Sequence, residues 1–265
     1  MSFTDPAQAL IQLIEIVARL RSPEGCPWDR EQTPASLKRY LLEETYEVLE
    51  ALDREEPSAI RLELGDLLLQ IVFLSRLFEE RGLFDIADVA EGIANKLVHR
   101  HPHVFQGTAS ISLEELNHQW DRIKSQEPSR SPGIHGLLCD IPSQLPALLR
   151  AQKVTEKAAR VGFDWENSQG VAAKIKEETE EFVEACNHRS QTEIEHEFGD
   201  LLFSLVNLAR FLNITAEDAL RKAVERFQRR FEFIERALAE RGRTLQESSL
   251  ETMNALWEKA KQTAG

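Results

Sequence analysis

The chain has 265 residues, 42% of them hydrophobic and 29% charged, a balance that supports a folded core and argues against disorder. Its formal net charge of −13 argues against a clamp on a phosphate backbone, which needs clustered Lys and Arg, so no nucleic-acid partner is expected. Three scattered cysteines, Cys26, Cys139 and Cys186, form no CxxC pair and read as reduced thiols in a cytoplasmic protein. Good helix formers fill roughly 6–21, 35–54, 56–81, 85–100, 112–125, 142–160, 168–188, 190–212, 215–240 and 248–262. Breakers separate them: Pro23, Gly25 and Pro27, then Pro57, Gly82, Pro102, Gly162 and Gly242. No pair of alternating runs flanks a hairpin turn, so the fold class is all-α. Asp5 and Glu15 interrupt the apolar start, which argues against a secretory signal. Asp66, Gln70 and Arg76 interrupt the most apolar run, Leu64 to Leu77, so no membrane span is expected.

The chain repeats itself. A shift of 134 residues (177 − 43 = 134) lays Glu43, Glu44, Thr45 and Glu47 on Glu177, Glu178, Thr179 and Glu181. The same shift lays Glu63 on Glu197, Gly65-Asp66-Leu67-Leu68 on Gly199-Asp200-Leu201-Leu202, and Arg76 on Arg210, with no gap. Two homologous helical modules are the reading, one over 1–126 and one over 142–265. The Pro-, Ser- and Gly-rich stretch that begins at Glu127 places a linker over 127–141.

Each module carries E-E-x-x-E, fifteen residues, then E-x-x-D. At 3.6 residues per turn Glu44 shares a helix face with Glu47, Glu63 with Asp66, Glu178 with Glu181, and Glu197 with Asp200. Two helices joined by a short turn around Pro57 can lie antiparallel and bring both acidic faces together. A single EExxE string most often marks a solvated helix face. Here Asp66 and Asp200 each sit inside apolar sequence, where an unpaired buried carboxylate costs several kcal/mol, and like charges gathered together repel. A bound divalent cation resolves both problems. All-carboxylate ligation favours hard Mg²⁺, with Mn²⁺ as a possible substitute, over zinc.

The paired acidic motifs, Gly25-Cys-Pro-Trp-Asp29, Arg100-His-Pro-His-Val-Phe105, Leu145-Pro-Ala-Leu-Leu-Arg-Ala-Gln-Lys153 and Val161-Gly-Phe-Asp-Trp165 together resemble the MazG family of nucleoside triphosphate pyrophosphohydrolases in its two-domain form. The resemblance implies tandem all-α modules whose four-helix cores are completed by dimerisation, and Mg²⁺-dependent release of pyrophosphate from a broad range of nucleoside triphosphates. It implies that Glu178, Glu181, Glu197 and Asp200 hold Mg²⁺ in the second module, and that Glu44, Glu47, Glu63 and Asp66 match them in the first. Glu177 and Glu178 are the candidates for positioning or deprotonating the attacking water. Cationic side chains should assist a pyrophosphate leaving group. Arg226 with Arg230, and Lys96 with Arg100, are spaced i, i+4 on late helices, a pattern that a solvated basic stripe also gives. By resemblance, Arg226, Arg230 and Lys174 fall where the family binds phosphate. Trp257 fits either a base-stacking role or a place in the core. Val224 departs from the Asn that many relatives carry there.

Other signals are discounted. His99, His101 and His103 have no thiol or acidic ligand set nearby and read as helix termination. Glu193-x-x-His196 mimics a di-iron motif, but its repeat partners are Ala59 and Leu62. No Gly-rich phosphate loop is present. Two alternatives stay open: a hydrolase narrowed to one substrate such as dUTP, and a catalytically idle helical dimer that serves as a binding or regulatory module.

Overall fold

The computed structural model describes residues 5–107, 112, 115, 116, 119, 123, 136–188 and 190–263. The helix expected over 112–125 and most of the expected linker fall largely outside the described residues. The chain divides into two units, Met1–Glu127 and Pro128–Gly265. Among the described residues there are helices and turns and no strand.

The first unit runs α1 (Pro6–Leu20), α2 (Pro27–Glu31), α3 (Pro34–Arg54), α4 (Pro57–Glu79), α5 (Ile86–Arg100) and α6 (Pro102–Phe105). Five of the ten prolines open one of these helices, where the missing N–H has no intrahelical partner to lose. Prolines that read as breakers are therefore starters as well. Asp5 accepts from the Ala7 N–H at the head of α1, and Thr33 with Ser36 forms a capping box at α3. Glu55 closes α3 in the left-handed region (φ 55°), and the chain turns directly into α4. α3 and α4 pack along their length, and α1 lies on α4. Val17, Leu37, Val72, Phe73 and Leu77 form the core there, with Tyr40 and Leu69 against it; each fully buried aliphatic side chain contributes about 2 kcal/mol.

Arg21, just past α1, ties this core together. Its guanidinium reaches both Glu80 carboxylate oxygens, 2.7 and 2.9 Å away, and also donates to the Asp29 carbonyl. The hydrogen bond from Arg21 holds the Glu80 carboxyl below its ordinary 4.5. Stability from this pair is therefore present above 4.5 and is lost as pH falls through the folded value.

The second unit runs α7 (Ala147–Arg160), α8 (Ser168–His188), α9 (Gln191–Phe211), α10 (Ala216–Ala239) and α11 (Leu250–Thr263). α7 begins later than the expected 142, because Pro142 and Pro146 hold that stretch as turns. The repeat is structural as well as sequential. α8 begins and ends 134 residues after α3 (168 − 34 and 188 − 54), and α9 begins 134 after α4 (191 − 57). α8 packs on α9, α7 lies on α9, and α10 packs chiefly on α11. Ile234, Leu238 and Leu256 form the core between α10 and α11, with Phe231, Met253 and Trp257 against it.

Broad apolar faces stay open in each unit. Val89, Ile93 and Leu97 on α5, Leu64, Leu68 and Ile71 on α4, Phe198, Leu202 and Leu205 on α9, and Leu220, Val224 and Phe227 on α10 are all exposed. Single exposed leucines are ordinary; rows at helical spacing are not. No helix is long and apolar enough to cross a membrane among the described residues.

Candidate functional site

The α3–α4 pair places Glu44, Glu47 and Glu63 so that one carboxylate oxygen from each lies within 4.8 Å of the others. Asp66 stands close enough to Glu44 to push its carboxyl upward. In the α8–α9 pair, Glu178, Glu181 and Glu197 form the corresponding group. Asp200 joins it through Glu197, in a second group that also holds His196. All eight acids expected at the two faces thus gather as two sets, one in each unit.

Only Glu178 is deeply buried, at 5% exposure. Asp66 and Asp200 lie open, and so do their neighbours Leu64, Leu68, Phe198 and Leu202. The expectation that these two acids are buried in apolar surroundings therefore fails within the single chain. The apolar residues beside them belong to faces that stay exposed among the described residues.

The two sets meet the crowding of charge differently. In the first, burial raises the Glu44 carboxyl above its ordinary 4.5, and Glu47, Asp66 and Glu63 raise it further; every side chain acting on it is acidic. In the second, the Lys174 ammonium lies 2.8 Å from Glu177 and 2.8 Å from Glu178. Hydrogen bonds to Glu177 and Glu178 hold Lys174 firmly protonated. Tyr40 occupies the corresponding place in the first set (174 − 134 = 40). A cluster of carboxylate oxygens suits a hard divalent cation, and the residues present fit one.

That fit has a measurable consequence at Glu44. A raised carboxyl pKa means that the folded unit keeps a proton the unfolded chain has released, so stability falls as pH rises from 4.5 through the folded value. Glu44→Gln removes that cost. It is expected to raise the unfolding temperature of the first unit in chelator near neutral pH, and to abolish any gain that added Mg²⁺ gives the parent there. Thermal unfolding with Mg²⁺ and with chelator decides the matter; a variant that responds to Mg²⁺ like the parent removes Glu44 from the site.

The basic candidates sit on later helices. Asp85 caps α5 and Thr215 caps α10, 130 residues apart, and in that register Lys96 meets Arg226 and Arg100 meets Arg230. Arg226 is exposed and reaches the Lys222 carbonyl at 3.4 Å. Arg230 lies over the Trp257 ring, 5.8 Å from its centre, with its Nε buried and unpartnered. Trp257 is half-buried against Phe227 and the α10–α11 core. Lys96 and Arg100 are half-buried on α5. Glu193 is used up by the helix cap, accepting from the Ser190 N–H and hydroxyl at 2.8 Å. His196 instead faces Asp200, four residues on, at 3.2 Å. The i, i+4 spacing from His196 to Asp200, an acid of the motif, is the sequence signal for this pair.

Comparison with known proteins identifies relatives of the whole chain. The MazG nucleotide pyrophosphohydrolase domain matches twice, over residues 32–105 and 166–233, which span both acidic faces. A nucleoside triphosphate pyrophosphohydrolase of Escherichia coli (strain K12) is 46% identical over 253 residues, covering 94% of this chain and 96% of that protein. The nucleoside triphosphate pyrophosphohydrolase/pyrophosphatase MazG of Thermotoga maritima is 46% identical over 250 residues, covering 94% of each chain. A crystal structure of a MazG-related protein from Thermotoga maritima is 27% identical, covers 45% of this chain and 99% of that one, and has a TM-score of 0.39. The chain belongs to the MazG nucleotide pyrophosphohydrolase family, with two such domains in tandem.

Proposed function

We propose that the chain hydrolyses nucleoside triphosphates of broad range to the monophosphate and pyrophosphate, with Mg²⁺ as the ordinary cofactor and Mn²⁺ as a substitute. The observation that carries this reading is the carboxylate group that recurs at one fixed offset in two helix pairs, Glu44 with Glu47 and Glu63, and Glu178 with Glu181 and Glu197. In the second unit Glu178, Glu181, Glu197 and Asp200 would hold the ion, and in the first Glu44, Glu47, Glu63 and Asp66. When bound, a divalent ion supplies charge neutralisation for the triphosphate oxygens and a more acidic water.

The chain's own residues do the rest. Glu177, more exposed than Glu178, would orient a water for attack on the phosphorus that carries the nucleoside. Lys174 stands against the same acids and is free to pass to a phosphate oxygen once a cation takes its place. Arg226, Arg230, Lys96 and Arg100 are the cations proposed for the leaving pyrophosphate, and Trp257 for the base, where its packing beneath Arg230 also fixes that guanidinium.

The exposed rows on α4, α5, α9 and α10 support a further part of the reading: two copies of the chain pair through them, completing each four-helix core. Light scattering is expected to give twice the chain mass, and a strict monomer would refute the pairing. The three free thiols favour a reducing, cytoplasmic setting. Pyrophosphate release from a panel of ribo- and deoxyribonucleoside triphosphates, with Mg²⁺ and with chelator, tests the reaction. Metal-dependent release with matching monophosphate supports it. Orthophosphate with diphosphate would mean that a different bond is cut, and no turnover at all would favour a binding module.

A further inference from the structure

We propose that His196 adds an imidazole donor to the acidic face of the second unit, which raises that unit's affinity for transition-metal ions above that of the all-oxygen first unit and leaves Mg²⁺ binding in place. The inference rests on the metal reading above and concerns which ion each unit prefers. One ring nitrogen of His196 and one oxygen each of Glu197 and Asp200 lie within 4.8 Å of one another. Glu197 also belongs to the all-oxygen group with Glu178 and Glu181, so the imidazole borders the same acidic face rather than a separate patch. The ring turns toward Asp200, with Nδ1 3.2 Å from its carboxylate. It does not turn toward Glu193, whose carboxylate caps α9.

The first unit is an internal comparison. Its three-residue group, Glu44, Glu47 and Glu63, contains only oxygen donors. At the place of His196 it carries Leu62 (196 − 134 = 62), 60% exposed and without any donor atom. Ligand chemistry then separates the two. Carboxylate oxygens suit Mg²⁺ and Mn²⁺, whereas an imidazole nitrogen adds affinity for Co²⁺, Ni²⁺ and Zn²⁺ and little for Mg²⁺. His196 lies on the rim of α9, its side chain 75% exposed, so it can turn to an ion without unpacking the helix.

Calorimetric titration of the full chain with Co²⁺ and, separately, with Mg²⁺ tests the inference at one fixed pH, with the Co²⁺ absorption band as a second readout. His196→Leu installs the residue that the first unit carries, and Leu62→His makes the reverse exchange; both positions are exposed, and circular dichroism checks the fold. His196→Leu is expected to weaken Co²⁺ binding by about tenfold in one class of sites while leaving Mg²⁺ binding within about threefold. Leu62→His is expected to tighten Co²⁺ binding in the other class and to shift the absorption band. If the ratio of Co²⁺ to Mg²⁺ affinity is the same in the parent and in His196→Leu, the inference is overturned and the metal reading stands. If neither ion binds the parent, both are overturned.

Discussion

Glu197→Gln is expected to lower pyrophosphate release by about 10³-fold with the helical content unchanged. Glu197 is the acid that both donor groups of the second unit share, so its loss removes an oxygen from each. Glutamine keeps the volume and can still hydrogen-bond, and the position is only half-buried, so packing has little reason to fail. The partner experiment is Glu63→Gln, the same change at the equivalent acid of the first unit. Full loss in Glu197→Gln with near-parental activity in Glu63→Gln assigns catalysis to the second unit. Roughly half the activity in each variant means that both units turn over. Parental rates in both would show that these acids do not carry the reaction, and the idle-module reading would gain.

The second unit is the stronger candidate for turnover on electrostatic grounds. A triphosphate arriving at the first unit meets a set of acids with Tyr40 where the second has Lys174. At the second unit Lys174 already balances Glu177 and Glu178, and a cation taking its place would leave an ammonium beside the incoming phosphates. Holding Glu178 almost fully buried and ionised without such a partner would cost several kcal/mol. Val224 is exposed on α10, in the same apolar row as Leu220 and Phe227, so this departure extends an open face.

Local pattern carried most of the architecture. The long helices fall within a few residues of the spans that periodicity sets out, and the repeat offset read from Glu43 and Glu177 returns in the helix ends themselves. α2 and α6 could not be read this way, because five- and four-residue helices hold too few turns to show a period. The acids that gather at each face were legible from spacing alone. Their exposure was not. Leu64-Gly-Asp66-Leu and Phe198-Gly-Asp200-Leu have the composition of buried segments, yet Leu64, Leu68, Phe198 and Leu202 are exposed, because composition does not say whether a neighbouring element covers a face. His196 was visible in the sequence but was weighed against Glu193, whose side chain a helix cap had already claimed.

Gly25→Ala is expected to destabilise the first unit by about 3 kcal/mol, a large effect for one added methyl group. A Cβ at Gly25 would stand 2.2 Å from the Leu20 carbonyl oxygen, 2.4 Å from that of Arg19 and 2.6 Å from the Leu20 carbonyl carbon. These are backbone atoms of the last turn of α1, so no side-chain rotation relieves the clash. The turn is further pinned by Gly25 N–H to Ser22 O and Cys26 N–H to Leu20 O, both 2.8 Å. If it opens, Cys26 and Pro27 move, and with them α2, whose Asp29 carbonyl accepts from Arg21. Arg21 in turn holds Glu80 at the end of α4. The strain therefore reaches the α1–α4 packing instead of staying in the loop. Gly92→Ala is the control of opposite sign: nothing lies within 4 Å of the added Cβ in mid-α5, and alanine there should stabilise the helix by up to about 1 kcal/mol. Urea unfolding of both variants separates the cases. A Gly25→Ala midpoint equal to the parent's would mean that α1 unwinds its last turn at little cost, and that Arg21 keeps Glu80 without it.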